Sequence, residues 1–189
     1  MNKQNTRLLT LRVLVKLMTL LALGAVFWVL FASVPEPDSR EAQITSFNIS
    51  DMQPGDARQV VWESKPLWIV YRKPSWESAL ASFSPSWFED PSSRHSVQPA
   101  GAANSVRSSV PEWFVTLGLG TGSGCALEFV PPSDDGDLSD QLNVGGFTDG
   151  CDQSRYDLAG RVFIDQQARR NTVIPAWELS AGMILVFDK

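Results

Sequence analysis

The sequence predicts an all-β domain of short antiparallel strands, carried on one N-terminal transmembrane helix. Three observations carry that prediction. Leu17 to Val34 is an uncharged, strongly apolar run of 18 residues. The roughly 155 residues after it are enough for one ordinary domain with its own core. Within them, β-branched and aromatic runs recur between turn residues, with no internal repeat.

The span comes first. With Leu14 and Val15 added, and Lys16 snorkelling to the interface, the apolar run reaches the ~20 residues that cross a bilayer. The transmembrane helix is assigned to residues 13–34, in contact with the lipid bilayer. Lys3, Arg7, Arg12 and Lys16 precede the run with no acid among them, and Glu36 and Asp38 follow it. The positive-inside rule puts residues 1–12 in the cytoplasm and the domain on the other side. A cleaved signal peptide is the rival reading. The run is longer than the about 7–15 apolar residues usual there, and Phe31-Ala32-Ser33-Val34-Pro35 offers no good cleavage site.

Residues 35–42 read as an extended, acidic, proline-containing linker, and 43–189 as the domain. A strand is expected through Ile44, Phe47 and Ile49, then a turn at Met52–Asp56. Val60–Trp62 and Leu67–Tyr71, separated by Lys65-Pro66, read as a hairpin. Ser75 to Phe83 is expected to be a short helix capped by Ser75. Residues 84–111 are rich in Ser, Pro, Gly and Ala and read as irregular. Strands return at Trp113–Leu117, Val162–Ile164 and Ile184–Phe187, with a glycine-rich stretch at Gly118–Gly124 and an acidic loop at Pro131–Asp140.

Composition excludes several function classes. A net charge of −5 and a pI near 4.9 leave no basic face for nucleic acid. Two cysteines, Cys125 and Cys151, cannot close a four-cysteine metal site, and one histidine, His95, limits metal and acid–base chemistry. His95 lies in the irregular stretch without an evident partner set, so no catalytic residue is expected. Gly118-x-Gly120-x-Gly122-x-Gly124 is not the spacing of a dinucleotide fingerprint, and no Lys-Ser/Thr follows it. Asp149 and Asp152, with Asp134, Asp135 or Asp137, lack the Ca²⁺-loop spacing and read as a solvated acidic surface rather than a metal site. Trp76 and Trp87 are candidate interface residues.

Four further stretches carry a resemblance. Val60-Val61-Trp62-Glu63-Ser64-Lys65-Pro66-Leu67-Trp68-Ile69-Val70 and the later Asp90-Pro91 follow the opening of the Rieske proteins of cytochrome bc1 complexes. Gly120-Thr121-Gly122-Ser123-Gly124-Cys125 aligns with that family's first cluster loop, Cys-Thr-His-Leu-Gly-Cys. Asp149-Gly150-Cys151-Asp152-Gln153-Ser154-Arg155-Tyr156 aligns with the second, Cys-Pro-Cys-His-Gly-Ser-x-Tyr, and Asp157-Leu158-Ala159-Gly160-Arg161-Val162 continues it. The chain thus resembles the Rieske iron–sulfur family over the anchor and most of the domain. The resemblance implies an all-β Rieske-like domain, with short antiparallel strands in stacked small sheets, and a cluster-loop region at about residues 118–160.

It also implies what each position does. The family's four [2Fe–2S] ligands, two Cys and two His, fall on Gly120, Gly122, Asp149 and Asp152. The family's inter-loop disulfide falls on Cys125 and Cys151. Ser154 and Tyr156 match positions that hydrogen-bond the cluster, and Asp165-Gln166-Gln167-Ala168 stands where a proline loop shields it. The expectation is therefore a chain with no cofactor and no enzymatic role of its own. It would be a non-redox accessory or structural subunit of a respiratory complex (bc1 complex, terminal oxidase or supercomplex) in a bacterial inner membrane, with a periplasmic domain and respiratory membrane-protein partners. The alternatives are a divergent [2Fe–2S] electron carrier or thiol switch, and a membrane-bound assembly factor.

Overall fold

The computed structural model describes residues 3–32, 43–133 and 143–188. The expected linker at 35–42, most of the acidic loop, and Asp134, Asp135 and Asp137 lie outside the described residues. The chain divides into two units, Met1–Glu41 and Ala42–Lys189.

The first unit is helix α1 (Lys3–Ala32), 30 residues long. Its apolar stretch Leu9–Phe31 is 23 residues, and an 18-residue window within it has a mean hydropathy of 2.3. At 1.5 Å per residue the stretch is about 35 Å, enough to cross a hydrocarbon core of about 30 Å. From Leu9 to Phe31 its leucines, valines and phenylalanines are exposed on every face, which suits lipid rather than water.

Among the described residues the second unit holds three small antiparallel sheets, each of three strands. The first pairs β1 (Ile44–Asn48), β9 (Met183–Phe187) and β8 (Ala176–Ser180) in the order β1–β9–β8, tying the two ends of the unit together. The second runs β2 (Ala57–Trp62), β3 (Lys65–Tyr71), β4 (Trp113–Leu117). The third runs β5 (Leu127–Val130), β6 (Gly146–Asp149), β7 (Arg155–Tyr156). Leu67, Ile69, Val70, Phe114, Phe147, Ile174, Ile184 and Val186 are buried in one core that all three sheets share. This is the expected fold class.

Several elements differ from the sequence reading. The β2–β3 hairpin forms, but its turn is Glu63-Ser64, both with positive φ (47° and 61°), as a two-residue type I′ turn demands. Lys65-Pro66 therefore belongs to β3, where Pro66 lies opposite Val61. Helix α2 (Pro74–Ser82) starts one residue before Ser75. A proline at the first helical position is pre-set in φ and needs no donor, so Ser75 is not the cap. Trp76 is a core residue of α2 rather than an interface residue, and Trp87 packs on Phe83. Residues 84–111 contain two 3₁₀ turns, Pro85–Trp87 and Ala100–Ala102. Val162–Ile164 forms only isolated bridges, Tyr156–Val162 and Phe88–Phe163, in place of a strand.

Candidate functional site

The third sheet positions two loops. The first, residues 118–126, leaves β4 with Gly118 N donating to Pro66 O (2.7 Å) and closes on itself through Gly120 N to Cys125 O (2.8 Å) and Gly124 N to Gly120 O (2.9 Å). Gly124 sits at φ 76°, which a residue with a Cβ adopts only at a cost. The second loop joins β6 to β7. Asp149 N donates to Ser154 O (2.9 Å), and Gln153 N to Asp149 O (3.1 Å). A disulfide between Cys125 and Cys151, with Cα atoms 6.0 Å apart, links the loops. The disulfide that the resemblance implies is therefore present.

Asp149 is fully buried between the loops. Its Oδ2 accepts from Ser123 Oγ (2.6 Å), and its Oδ1 from Cys151 N (2.8 Å) and Asp152 N (3.3 Å). Asp152 Oδ1 accepts from Ser154 N (2.8 Å), while Asp152 Oδ2 is buried without a hydrogen-bond partner. Tyr156 Oη accepts from Thr121 N (3.0 Å) and shares a hydrogen bond with Thr121 Oγ1 (3.1 Å). Burial raises the Tyr156 hydroxyl above its ordinary pKa, against the pull of the Thr121 hydrogen bonds. Ser154 Oγ accepts from Ala168 N (3.0 Å), so the segment at 165–168 packs on the second loop.

The structure brings all four ligand-equivalent positions together, and it pairs them. A Cβ on Gly120 would overlap Asp149 Oδ2 and lie 2.7 Å from Asp149 Cγ. A Cβ on Gly122 would lie 2.7 Å from Asp152 Oδ2. Gly120 thus faces Asp149, and Gly122 faces Asp152. In the motifs those would be a cysteine opposite a cysteine and a histidine opposite a histidine. His95 N donates to the Asp90 carboxylate (3.0 Å). His95 lines a cavity of about 320 Å³ with Val97, Leu117, Leu119, Arg170 and Val173, which reaches Gly120 and Thr121.

Sequence reasoning missed the residues that hold the loops and the base of the domain. Ser123 and Thr121 anchor the first loop, and only their turn context hints at it. Among the described residues three arginines are buried. Arg72 donates to the carbonyls of Val106, Pro111 and Leu158 (2.9–3.3 Å). Arg107 donates to those of Ala159, Gly160 and Thr172 (2.9–3.1 Å). Arg161 pairs with buried Asp157 at 2.7 Å, and its guanidinium lies 4.0 Å over the Phe88 ring centroid.

No family model matches the chain. It is 40% identical over 128 residues to the "Ubiquinol-cytochrome c reductase iron-sulfur subunit" of Allochromatium vinosum, covering 68% of this chain and 61% of that protein. It is 30% identical over 139 residues to the mitochondrial "Cytochrome b-c1 complex subunit Rieske" of Schizosaccharomyces pombe, covering 74% and 52%. It is 28% identical over 177 residues to the "Ubiquinol-cytochrome c reductase iron-sulfur subunit" of Rickettsia typhi, covering 93% and 89%. The chain thus spans less than two thirds of the length of the first two relatives. Among solved structures, a chain of a "Hyperthermophilic respiratory Complex III" overlays on 90% of this chain, and 97% of itself, with TM-score 0.44 and 17% identity.

These names correct two expectations. The expectation of a chain without a cofactor does not stand, because the relatives are named iron–sulfur subunits. The expectation of no enzymatic role does not stand either, because they are named for ubiquinol–cytochrome c reductase. The residues themselves are a separate observation. A Rieske centre takes two thiolates and two imidazoles. Here the two sulfurs are bonded to each other, two of the four positions have no side chain, and the Asp149 carboxylate fills the place where a Gly120 side chain would begin. In the disulfide-bonded chain these residues do not fit that ligand set. Kinship rests on the rest of the molecule. At 40% identity over 128 residues, with its two loops joined by the disulfide their motifs imply, the chain belongs to the Rieske iron–sulfur protein family of cytochrome bc1 type.

Proposed function

We propose that the chain is a membrane-anchored subunit of a respiratory complex of bc1 type. Residues 1–12 lie in the cytoplasm, 13–34 cross a bacterial inner membrane, 35–42 link, and 43–189 form a periplasmic head. One observation carries the reading: 40% identity to a protein named as an iron–sulfur subunit of ubiquinol–cytochrome c reductase. Two features of the chain support it. α1 has the length and composition of an anchor, and its basic residues precede the apolar stretch, as the positive-inside rule asks of a cytoplasmic end. The disulfide suits an oxidising compartment.

The head's own residues act by positioning. The disulfide and Asp149 hold the two loops in one arrangement, and Tyr156 fixes the first loop through Thr121. A pre-formed loop surface docks on partner subunits without an ordering cost. The test is purification of the tagged chain from membranes in mild detergent. Haem-bearing subunits at one per chain are expected. A chain that runs alone overturns the reading, and one present far below stoichiometry in the mature complex belongs to an assembly factor instead. Iron content and the EPR spectrum of the same reduced preparation read the head's redox role. Alkaline phosphatase fused after Lys189 should be active if the head is periplasmic.

A further inference from the structure

We propose that reduction of the Cys125–Cys151 disulfide opens a zinc site built from both thiolates and the Asp149 carboxylate. The two sulfurs and a carboxylate oxygen of Asp149 all lie within 4.8 Å of one another. Two thiolates with one carboxylate match the ligand chemistry of Zn²⁺, at about 2.3 Å to sulfur and 2.0–2.2 Å to oxygen. The sulfurs must part to about 3.8 Å for tetrahedral binding. Side-chain rotation supplies that, because the Cα atoms are already 6.0 Å apart and the β5–β6 pairing holds both loops at their base.

The surroundings are prepared for a cation. Asp149 is fixed by Ser123 Oγ and by two backbone N–H groups, an outer set that orients a ligand. Asp152 Oδ2 is buried and lacks a donor. A water would complete the tetrahedron as fourth zinc ligand. The disulfide is reachable: Cys151 is exposed and Cys125 half-buried.

The chemistry balances. A dithiol reductant passes two electrons and two protons to the disulfide and closes to its own disulfide. Zn²⁺ then displaces the two thiol protons. The site is therefore gated by reduction, and the oxidised chain cannot form it.

The test uses the full-length chain in detergent. It is reduced anaerobically with dithiothreitol, desalted, exposed to Zn²⁺ and desalted again. One zinc per reduced chain and none per oxidised chain are expected. Co²⁺ in place of Zn²⁺ should give thiolate-to-metal charge-transfer absorption in the near ultraviolet. Asp149→Asn should weaken binding by at least about tenfold, with the near-ultraviolet circular dichroism of the reduced chain unchanged. Asp152→Asn, which removes no proposed ligand, should still bind one zinc. Three results overturn the proposal: no zinc on the reduced chain, equal zinc on the oxidised chain, or cobalt binding without thiolate absorption. Equal affinity in Asp149→Asn overturns it as well, because zinc would then sit on the two thiols alone.

Discussion

Placing one methyl group at Gly120 should disturb the domain through a single neighbour. Gly120→Ala puts its Cβ onto Asp149 Oδ2 and 2.7 Å from Asp149 Cγ, with no other heavy atom closer than Asp149 Cβ at 3.4 Å. The carboxylate must swing away and give up its hydrogen bond from Ser123, and strain its bonds from Cys151 and Asp152. Hydrogen bonds to a charged group are worth about 1.5–3 kcal/mol, and overpacking adds about 1–3, so a loss of about 3 kcal/mol is expected. Asp149→Ala strands the same donors and should also cost about 3 kcal/mol. The double variant Gly120→Ala/Asp149→Ala has nothing left to clash. Its cost should be that of Asp149→Ala alone, leaving a coupling of about 3 kcal/mol. Thermal unfolding of the full chain in detergent, followed by near-ultraviolet circular dichroism, should show each single variant melting about 6–12 °C lower and the double no lower than Asp149→Ala. Gly122 is the contrast. Its Cβ would also meet Ala168 N and Cα at 3.1 Å, backbone that cannot swing aside, so Asp152→Ala should not rescue Gly122→Ala. Additive losses at 120 and 149, to within about 0.5 kcal/mol, would refute the contact.

Asp157→Ala leaves Arg161 buried without its counter-ion and should cost about 3–5 kcal/mol in thermal unfolding. Replacing both Cys125 and Cys151 by serine opens a loop whose ends are 26 residues apart, and should cost about 3.5 kcal/mol on the chain-entropy estimate. Tyr156 should shape the alkaline limb of stability. Its hydroxyl ionises above its ordinary value of 10.0 in the folded chain, mainly because it is buried. The stability this contributes is full below the unfolded pKa and is lost as pH rises through the folded one. Tyr156→Phe should flatten that limb in a pH series of melting temperatures, while costing about 1 kcal/mol near neutrality for the lost Thr121 bonds.

Residue type alone made some elements legible. Trp113–Leu117 is a run of strand formers whose first four residues are buried, and it is β4 to the residue. β6 begins at a glycine with φ 127° and β7 has two residues, so neither carries a period to read. The Glu63-Ser64 turn lacks the usual glycine, and the eye falls on Lys65-Pro66 instead. Val162–Ile164 has the composition of a strand, but its N–H groups go to Asn171 Oδ1, Arg155 O and Trp87 O, three different places. At the site, motif spacing made the cysteines legible. Ser123 was not, because a serine beside glycines reads as any turn. The arginines were not, because arginine is ordinarily exposed and their partners are mostly backbone carbonyls.

The arrangement of polar groups explains how the motif residues divide. At the base, burial pulls Arg72 down to about 9 and Arg107 down to about 10, yet both remain cations at neutral pH. Each is held by carbonyls from the otherwise irregular 98–111 and 157–172 segments, and Arg161 is neutralised by Asp157. Losing any of these leaves an unpaired charge or several unpaired carbonyls in the core. At the loops, the Asp149 carboxylate is hydrogen-bonded only to loop residues 123, 151 and 152 among the described residues, and to none of the arginines. The loops are cross-linked by a covalent bond that does not depend on positions 120, 122, 149 or 152. A change at position 120 or 149 therefore falls first on loop residues and one at 122 on the Ala168 backbone, whereas a change at Asp157 or Arg161 unpairs a charge in the core. In the second motif Cys151, Ser154 and Tyr156 match the aligned pattern, while Gly150 and Gln153 depart from it along with Asp149 and Asp152.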